Sequence, residues 1–229
     1  MTHTLYAAAL APGEVELDSE ETRHGCRVLR LRPGMRVRLC DGAGRVAEGA
    51  VIRSAPRLAV QVAAIATQAP PAAQPLTVAV APPKGDRWSD LLRGLTELGV
   101  GGIVPLRCAR GVREEPNRAR GERVLREALK QCRRAWLPRL AALTDVAALA
   151  TSGERLILLD PMGGPPQPAH AAPTTLVIGP EGGFTDAERA LLLAAGAAPV
   201  RLTGTVLRIE TAALAAAALW ATTWEHAAR

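Results

Sequence analysis

Apolar and polar residues alternate along Met35-Arg-Val-Arg-Leu-Cys40, the period of a strand with one buried face. Asp41-Gly-Ala-Gly44 has the composition of a hairpin turn, and residues 45–53 and 57–65 continue in the same style. The first 66 residues therefore read as short strands, close enough together to predict a small barrel. Residues 67–75, with three prolines and two glutamines, have the composition of a stiff linker and predict a domain boundary.

Beyond the linker the pattern changes. Leu76-Thr-Val-Ala-Val80 is an apolar strand, and residues 86–98 carry helical spacing with Gly99 as a C-cap. The Leu91, Leu92, Leu95 and Leu98 stripe is core packing. Gly102-Ile-Val-Pro-Leu106 predicts a second strand. Asn117 then caps a helix that places Val124, Leu125, Ala128, Leu129 and Cys132 on one face. Residues 156–159 and 174–178 are buried-strand runs, and Thr185-Asp-Ala-Glu188 is a capping-box pattern. Residues 200–202 form a last short strand, and an alanine-rich helix spans 210–226. Strands alternating with helices predict an α/β sheet, and no internal repeat is visible.

Composition narrows the class. The chain has 229 residues, 48% hydrophobic and 22% charged, enough apolar content to exclude a mostly disordered protein. The longest uncharged run, residues 58–83, is broken by prolines and glutamines and cannot span a membrane. Cys26, Cys40, Cys108 and Cys132 form no CxxC or CxxH pair, so neither a zinc site nor a disulfide framework is expected. With no secretory signal at the N-terminus, a soluble cytoplasmic protein without a metal is the expectation.

The net charge of +6 is unevenly spread. Residues 1–22 carry five acids and no Arg or Lys, whereas residues 23–57 carry nine arginines against Asp41 and Glu48. A second basic block covers residues 84–139. Apart from Lys84 and Lys130, every basic residue is arginine, whose planar fork suits phosphate. Two such blocks point to nucleic acid as partner. With aromatic residues at only 3%, stacking on aromatic platforms is not expected to dominate.

Candidate ligand chemistry lies in three loops after strand ends: Asp160-Pro-Met-Gly-Gly164, Gly179-Pro-Glu-Gly-Gly-Phe184 and Thr203-Gly-Thr-Val-Leu-Arg208. Ligands of open α/β sheets bind outside the carboxyl ends of strands, and glycines let the backbone approach them. Neither GxGxxG nor GxxxxGK[ST] is present, so dinucleotide and P-loop fingerprints are absent. His3, His170 and His226 show no paired ligand or base spacing.

Leu176-Val-Ile-Gly-Pro-Glu-Gly-Gly-Phe-Thr-Asp-Ala-Glu188, followed by Val206-Leu-Arg-Ile-Glu-Thr-Ala212, resembles the bacterial 16S ribosomal RNA uridine-N3 methyltransferase family. Lys84-Gly-Asp-Arg-Trp-Ser-Asp-Leu-Leu92, Gln131-Cys-Arg-Arg-Ala-Trp-Leu-Pro138 and Arg23-His-Gly-Cys-Arg-Val-Leu-Arg-Leu-Arg-Pro-Gly34 resemble further stretches of that family in the same order. Lys130, Cys132 and Gly25 depart from its usual Glu, Ser and His. The resemblance implies a PUA-like β-barrel RNA-binding domain at 1–70 and a SPOUT methyltransferase domain at 74–229 with a C-terminal trefoil knot. It also implies a homodimer using S-adenosylmethionine (SAM) to methylate 16S rRNA of the small ribosomal subunit.

Carried onto this chain, the resemblance implies that Leu159, Ile178, Gly179, Glu181, Gly182, Leu202, Gly204 and Leu207 hold SAM. Arg208 stabilises the uracil anion as its N3 proton is lost. Glu210 orients Arg208 or accepts a proton, or is simply a first-turn acid favoured by the helix dipole. Arg23, His24, Arg27, Arg30 and Arg32 grip rRNA phosphates, with a solvated strand face as the other reading for Arg30 and Arg32. Arg110 and Arg113 are a second RNA-facing set. The rival functions are a SPOUT methyltransferase acting on another RNA position and a ribosome-assembly factor without turnover.

Overall fold

A computed structural model of the chain describes residues 2–73, 75–112, 114–168 and 173–227. It divides into two compact units, Met1–Pro70 with Arg126–Leu137, and Pro71–Leu125 with Pro138–Arg229.

The first unit is built on a six-stranded sheet, β1 (His3–Tyr6), β2 (Gly13–Glu16), β3 (Arg36–Cys40), β4 (Arg45–Arg53), β5 (Ala59–Val62) and β6 (Ala66–Thr67). Its order is β1-β3-β4-β5-β2, with β6 on β4. The alternation in β3 has its expected result: Val37 and Leu39 are fully buried, while Arg36 points to solvent. Asp41 makes the turn into β4, its Oδ1 accepting the N–H groups of Ala43 (2.8 Å) and Arg45 (3.0 Å).

Residues 19–28 are helical where strands were expected. Asp18 caps α1 (Ser19–Arg23), its Oδ1 accepting the Glu21 N–H at 2.8 Å, and a π-helical turn follows at His24–Val28. The run ends with Arg30 in the left-handed region (φ 55) and the Leu31 N–H on the Gly25 carbonyl, a Schellman-type stop. Strand alternation fails here because a helix cap, two glutamates in the first turn and a reversed final residue set the local geometry.

The segment Arg126–Leu137 lies in the region expected to belong wholly to the C-terminal domain, yet it packs with the first unit. Leu129 and Ala135 share a small core with Cys40 and Val46, and the Trp136 ring lies over Gly44. Gly44 has φ 93, and a Cβ there would sit 2.4 Å from that ring, so the turn needs glycine. Deeper in this unit Lys130 Nζ meets Glu21 Oε1 at 2.5 Å, with both side chains buried.

The second unit holds a seven-stranded sheet: β7 (Leu76–Val80), β8 (Gly102–Arg107), β9 (Arg139–Leu140), β10 (Thr144–Asp145), β11 (Arg155–Gly164), β12 (Thr174–Ile178) and β13 (Ala198–Val200). The order is β10-β8-β7-β12-β11-β13 with β9 on β8, and the pairings are parallel. The continuous apolar runs of β7 and β12 are covered on both faces, as parallel strands require.

The helices are α2 (Arg87–Glu97), α3 (Arg118–Cys132), α4 (Val146–Ala150), α5 (Asp186–Ala194) and α6 (Ile209–Ala227). Asn117 caps α3 and Thr185 closes the capping box of α5 with Glu188, as their sequence patterns predict. Helix α6 packs on α2, β7 and β12, burying Trp220 and Trp224.

Two boundaries differ from the sequence reading. Residues 160–164 continue β11 instead of forming a free loop, because Gly163 lets the backbone approach Val200 closely; a Cβ there would lie 2.4 Å from the Val200 nitrogen. The last strand is residues 198–200, which leaves Leu202 in the loop beyond it. Among the described residues no helix is long and apolar enough to cross a membrane.

Candidate active site

Strands β11, β12 and β13 are parallel, and where β12 and β13 end the segments that follow them meet β11, which runs on to Gly164. There they enclose a cavity of about 400 Å³. One wall is Leu158–Pro161 on β11, a second is the turn after β12 (Ile178–Glu181, Gly183 and Phe184), and a third runs from Val200 at the end of β13 to Leu207. Ile209 and Ala212 of α6 close one side and Arg189 of α5 another.

The turn after β12 is held from several directions. The Gly183 N–H donates to the Pro180 carbonyl (2.8 Å), and a Cβ on Gly179 would lie 2.9 Å from the Phe184 ring. Arg110 Nη1 donates to the carbonyls of Gly182 (3.0 Å) and Phe184 (3.4 Å). Glu188 accepts the N–H groups of Ala109 (2.7 Å) and Thr185 (2.8 Å). Burial pushes the Glu188 carboxyl up, but these N–H donors and the neighbouring Arg110 outweigh it and hold it below its ordinary value.

Two ion-pair groups border the cavity. Asp160, almost fully buried, pairs with Arg189 Nε at 2.6 Å while its Oδ1 accepts the Met162 N–H. On another side, Arg87 Nη1 lies 3.3 Å from Glu181 Oε1 and 3.8 Å from Glu210 Oε1. The second oxygen of Glu210 is buried and without a hydrogen-bond partner among the described residues.

Of the residues expected to hold SAM, Leu159, Ile178, Gly179, Glu181, Leu202, Gly204 and Leu207 line the cavity. Gly182 does not; its carbonyl is engaged by Arg110 and its α-carbon faces that side chain. Arg208 and Glu210 flank the cavity between and after its lining residues Leu207 and Ile209. Arg208 is exposed and forms no ion pair among the described residues, while its carbonyl accepts the Ala212 N–H at the start of α6. Asp160, Arg189, Thr203 and Thr205 escaped the sequence reading although they sit in or beside its glycine loops. Arg87 escaped it because its two carboxylate partners lie roughly a hundred residues further along the chain.

In the first unit, Arg23, Arg27, Arg30 and Arg32 are all exposed and His24 is half-buried, on α1, the π-helical turn and the stretch after it. The solvated strand face considered for Arg30 and Arg32 is not formed, since neither lies in a strand. Among the described residues these four arginines form no ion pair, unlike Arg53, which is taken up by Glu14 and Glu16. Arg110 is committed to the turn after β12, and Arg113 and His170 lie outside the described residues. Burial drives the Cys40 and Cys108 thiols up to about 11 and about 12, so neither is a thiolate at neutral pH. Among the described residues no group of three or more His, Cys, Asp or Glu side chains is placed to hold a metal ion.

The chain thus carries a parallel sheet with a ligand-sized cavity at one end and, as a separate unit, a small arginine-studded β-sheet, and the families that its residues match are those of an RNA-modifying enzyme. Residues 70–221 match the RNA methyltransferase domain family, and residues 17–62 match the RNA methyltransferase PUA domain family. Over 87% of its length the chain is 33% identical to ribosomal RNA small subunit methyltransferase E of Mycobacterium bovis, covering 83% of that protein. It belongs to the ribosomal RNA small subunit methyltransferase E family.

Two solved structures are similar over nearly the whole chain. A methyltransferase from Legionella pneumophila in complex with SAM is 26% identical with a TM-score of 0.90, covering 97% of this chain and 98% of its own. A ribosomal RNA small subunit methyltransferase E from Neisseria gonorrhoeae bound to SAM is 25% identical with a TM-score of 0.85, covering 98% of both chains.

Proposed function

We propose that this protein transfers the methyl group of SAM to N3 of a uridine in the 16S rRNA of the small ribosomal subunit, as a cytoplasmic homodimer. The observation that carries the reading is the cavity between β11 and the ends of β12 and β13, in a chain whose relatives bind SAM in the same fold. Its volume is that of a small-molecule site, and its walls are backbone loops and apolar side chains with a few charged groups at the rim. Such a lining fits SAM, whose adenine is met by backbone groups and apolar side chains and whose amino-acid part is polar.

SAM supplies an electrophilic methyl group and leaves as a neutral thioether. The protein's own task is to align uridine N3 with that methyl and to favour loss of the N3 proton, because neutral uracil N3 is a poor nucleophile. We assign the stabilisation of the uracil anion to Arg208, which lies between the cavity-lining Leu207 and Ile209, is exposed and forms no ion pair among the described residues. Glu210, two residues on, orients Arg208 or accepts the N3 proton; its Oε1 lies 3.8 Å from Arg87 Nη1 and its buried Oε2 has no hydrogen-bond partner among the described residues.

The trefoil knot is part of the same proposal. The chain passes from β12 over β11 to β13, then returns through residues 201–208 to lay α6 against α2, β7 and β12, and this double crossing supports a knotted path. The barrel assignment of the first unit is supported by its sheet, of which the five strands β1–β5 contribute to one apolar cluster. Met162 and Val206, next to the cavity, are 85% and 94% exposed, apolar surface that a second copy would cover.

Incubation with labelled SAM and small subunits from a strain lacking the enzyme, followed by nucleoside mass spectrometry, tests the function. Labelled N3-methyluridine is the expected product. Label in another nucleoside would reassign the target, and no SAM binding would hand the reading to an assembly factor. For the RNA surface, replacing Arg27 and Arg30 by alanine is expected to weaken rRNA binding and to reduce the slope of log affinity against log salt by about one to two. An unchanged slope would move the RNA surface elsewhere.

A further inference from the structure

The two carboxylates at the cavity rim come from different walls. Glu181 lies in the turn after β12, and Glu210 lies in the first turn of α6, directly after the segment that carries Leu207 and Arg208. Among the described residues, no ion pair other than those through Arg87 engages either one. Arg87 is the first residue of α2, and its Nη1 stands between them at 3.3 and 3.8 Å.

The helix packing explains why this guanidinium arrives there. Two turns beyond Arg87, on the same face of α2, Gly94 lies against Leu214; a Cβ on Gly94 would sit 2.5 Å from Leu214 Cδ2. Leu214 is one turn beyond Glu210 on α6. Close approach at Gly94 therefore sets α2 and α6 so that Arg87 faces Glu210. Without a cation, two carboxylates would face each other across the rim, one of them already holding a buried oxygen without a partner.

We propose that Arg87 is a positioning residue that ties the turn after β12 to the first turn of α6, and thereby holds the cofactor walls and Arg208 in register. The proposal rests on the SAM reading of the cavity. It assigns no contact between Arg87 and either substrate. Arg87 acts through Glu181 on one wall and through Glu210 on the segment bearing Arg208.

The test compares Arg87→Gln and Arg87→Lys in the full chain. Amide hydrogen exchange in the ligand-free protein is read over residues 179–184 and 203–210, and SAM binding is titrated calorimetrically. In Arg87→Gln, exchange is expected to rise about threefold to fivefold in both segments, the range of half-exposed ion pairs, with the β7 and β8 amides unchanged. SAM affinity falls by about threefold to fivefold, the same factor as the opening, and kcat falls further through misplacement of Arg208, while KM for small subunits stays the same. Arg87→Lys, which keeps the charge, recovers most of each effect. Wild-type exchange and SAM affinity in Arg87→Gln would overturn the proposal. So would equal damage in both variants, or faster exchange throughout the sheet, which mark a general structural role. If the wild-type protein gave no heat with SAM, the cofactor reading would fall, and the exchange measurements would still decide whether Arg87 ties the two segments.

Discussion

Replacing Arg208 by alanine is expected to lower methyl transfer about a thousandfold while changing SAM affinity by no more than a few-fold, the loss typical of removing one preorganised group from a developing negative charge. Leu207 and Ile209, on either side, line the cavity, but the Arg208 side chain does not and stands exposed at its edge. The structural contribution of Arg208 comes from its backbone, whose carbonyl accepts the Ala212 N–H at 2.8 Å to begin α6. Alanine keeps that bond and suits a helix start within an alanine-rich helix, so the fold and the cofactor walls survive the change. Single-turnover transfer measured beside calorimetric SAM binding separates the two effects. Unchanged turnover would remove Arg208 from the mechanism, and a parallel loss of SAM affinity would make it a cofactor residue.

Lys130→Met is expected to destabilise the protein by about 3–5 kcal/mol, because it strands a buried carboxylate. Lys130 Nζ meets Glu21 Oε1 at 2.5 Å and Glu127 Oε1 at 2.9 Å, and Glu21 Oε2 also accepts the Tyr6 N–H at 3.0 Å. The pair joins α1, the start of the sheet and the end of α3 within one unit. Burial pushes the Lys130 ammonium down, yet hydrogen bonds and charge from Glu21, then Glu127, outweigh it and hold it above the ordinary 10.5. A raised lysine contributes stability that is fully present below 10.5 and is lost as pH rises through the raised value. Chemical denaturation at neutral pH and again above pH 11 checks both parts. A double replacement, Glu21→Leu with Lys130→Met, should recover part of the loss, since the buried carboxylate is gone although the Tyr6 N–H loses its acceptor. A loss below about 1 kcal/mol in the single variant would show that water reaches the pair.

Lys130 also shows how far the sequence could be read. It stood out as a departure where the resembling family usually has glutamate, but its partner lies 109 residues away. No local pattern marks Glu21 as buried; it reads as one of several acids in an exposed-looking N-terminus. The same limit hid Arg87, whose motif was visible and whose partners were not. Arg110 shows the reverse case. Its place in a basic block pointed to RNA, whereas its guanidinium is taken up by the carbonyls of Gly182 and Phe184.

Residues 19–32 were misread for a different reason. The Asp18-Ser-Glu-Glu21 cap signal was present, but a helix of five residues ending in a π-helical turn is too short to impose its period on the apolar pattern. The arginines expected to face RNA were found exposed, on an irregular helical ridge and not on a strand.

The sequence by itself determined the strands β3, β4, β7, β8 and β12, the caps at Asn117 and Thr185, and the loops that carry the cavity glycines. Each of these depends on the period of side chains along one segment, or on hydrogen bonds spanning three or four residues, so local order is enough to specify it. The tertiary structure alone decided that the ends of β12 and β13 meet β11 around one cavity, that residues 126–137 join the N-terminal unit, and that Arg87 reaches both Glu181 and Glu210. Those outcomes depend on which buried faces pack against one another, and such contacts join residues whose separation along the chain carries no periodic signal.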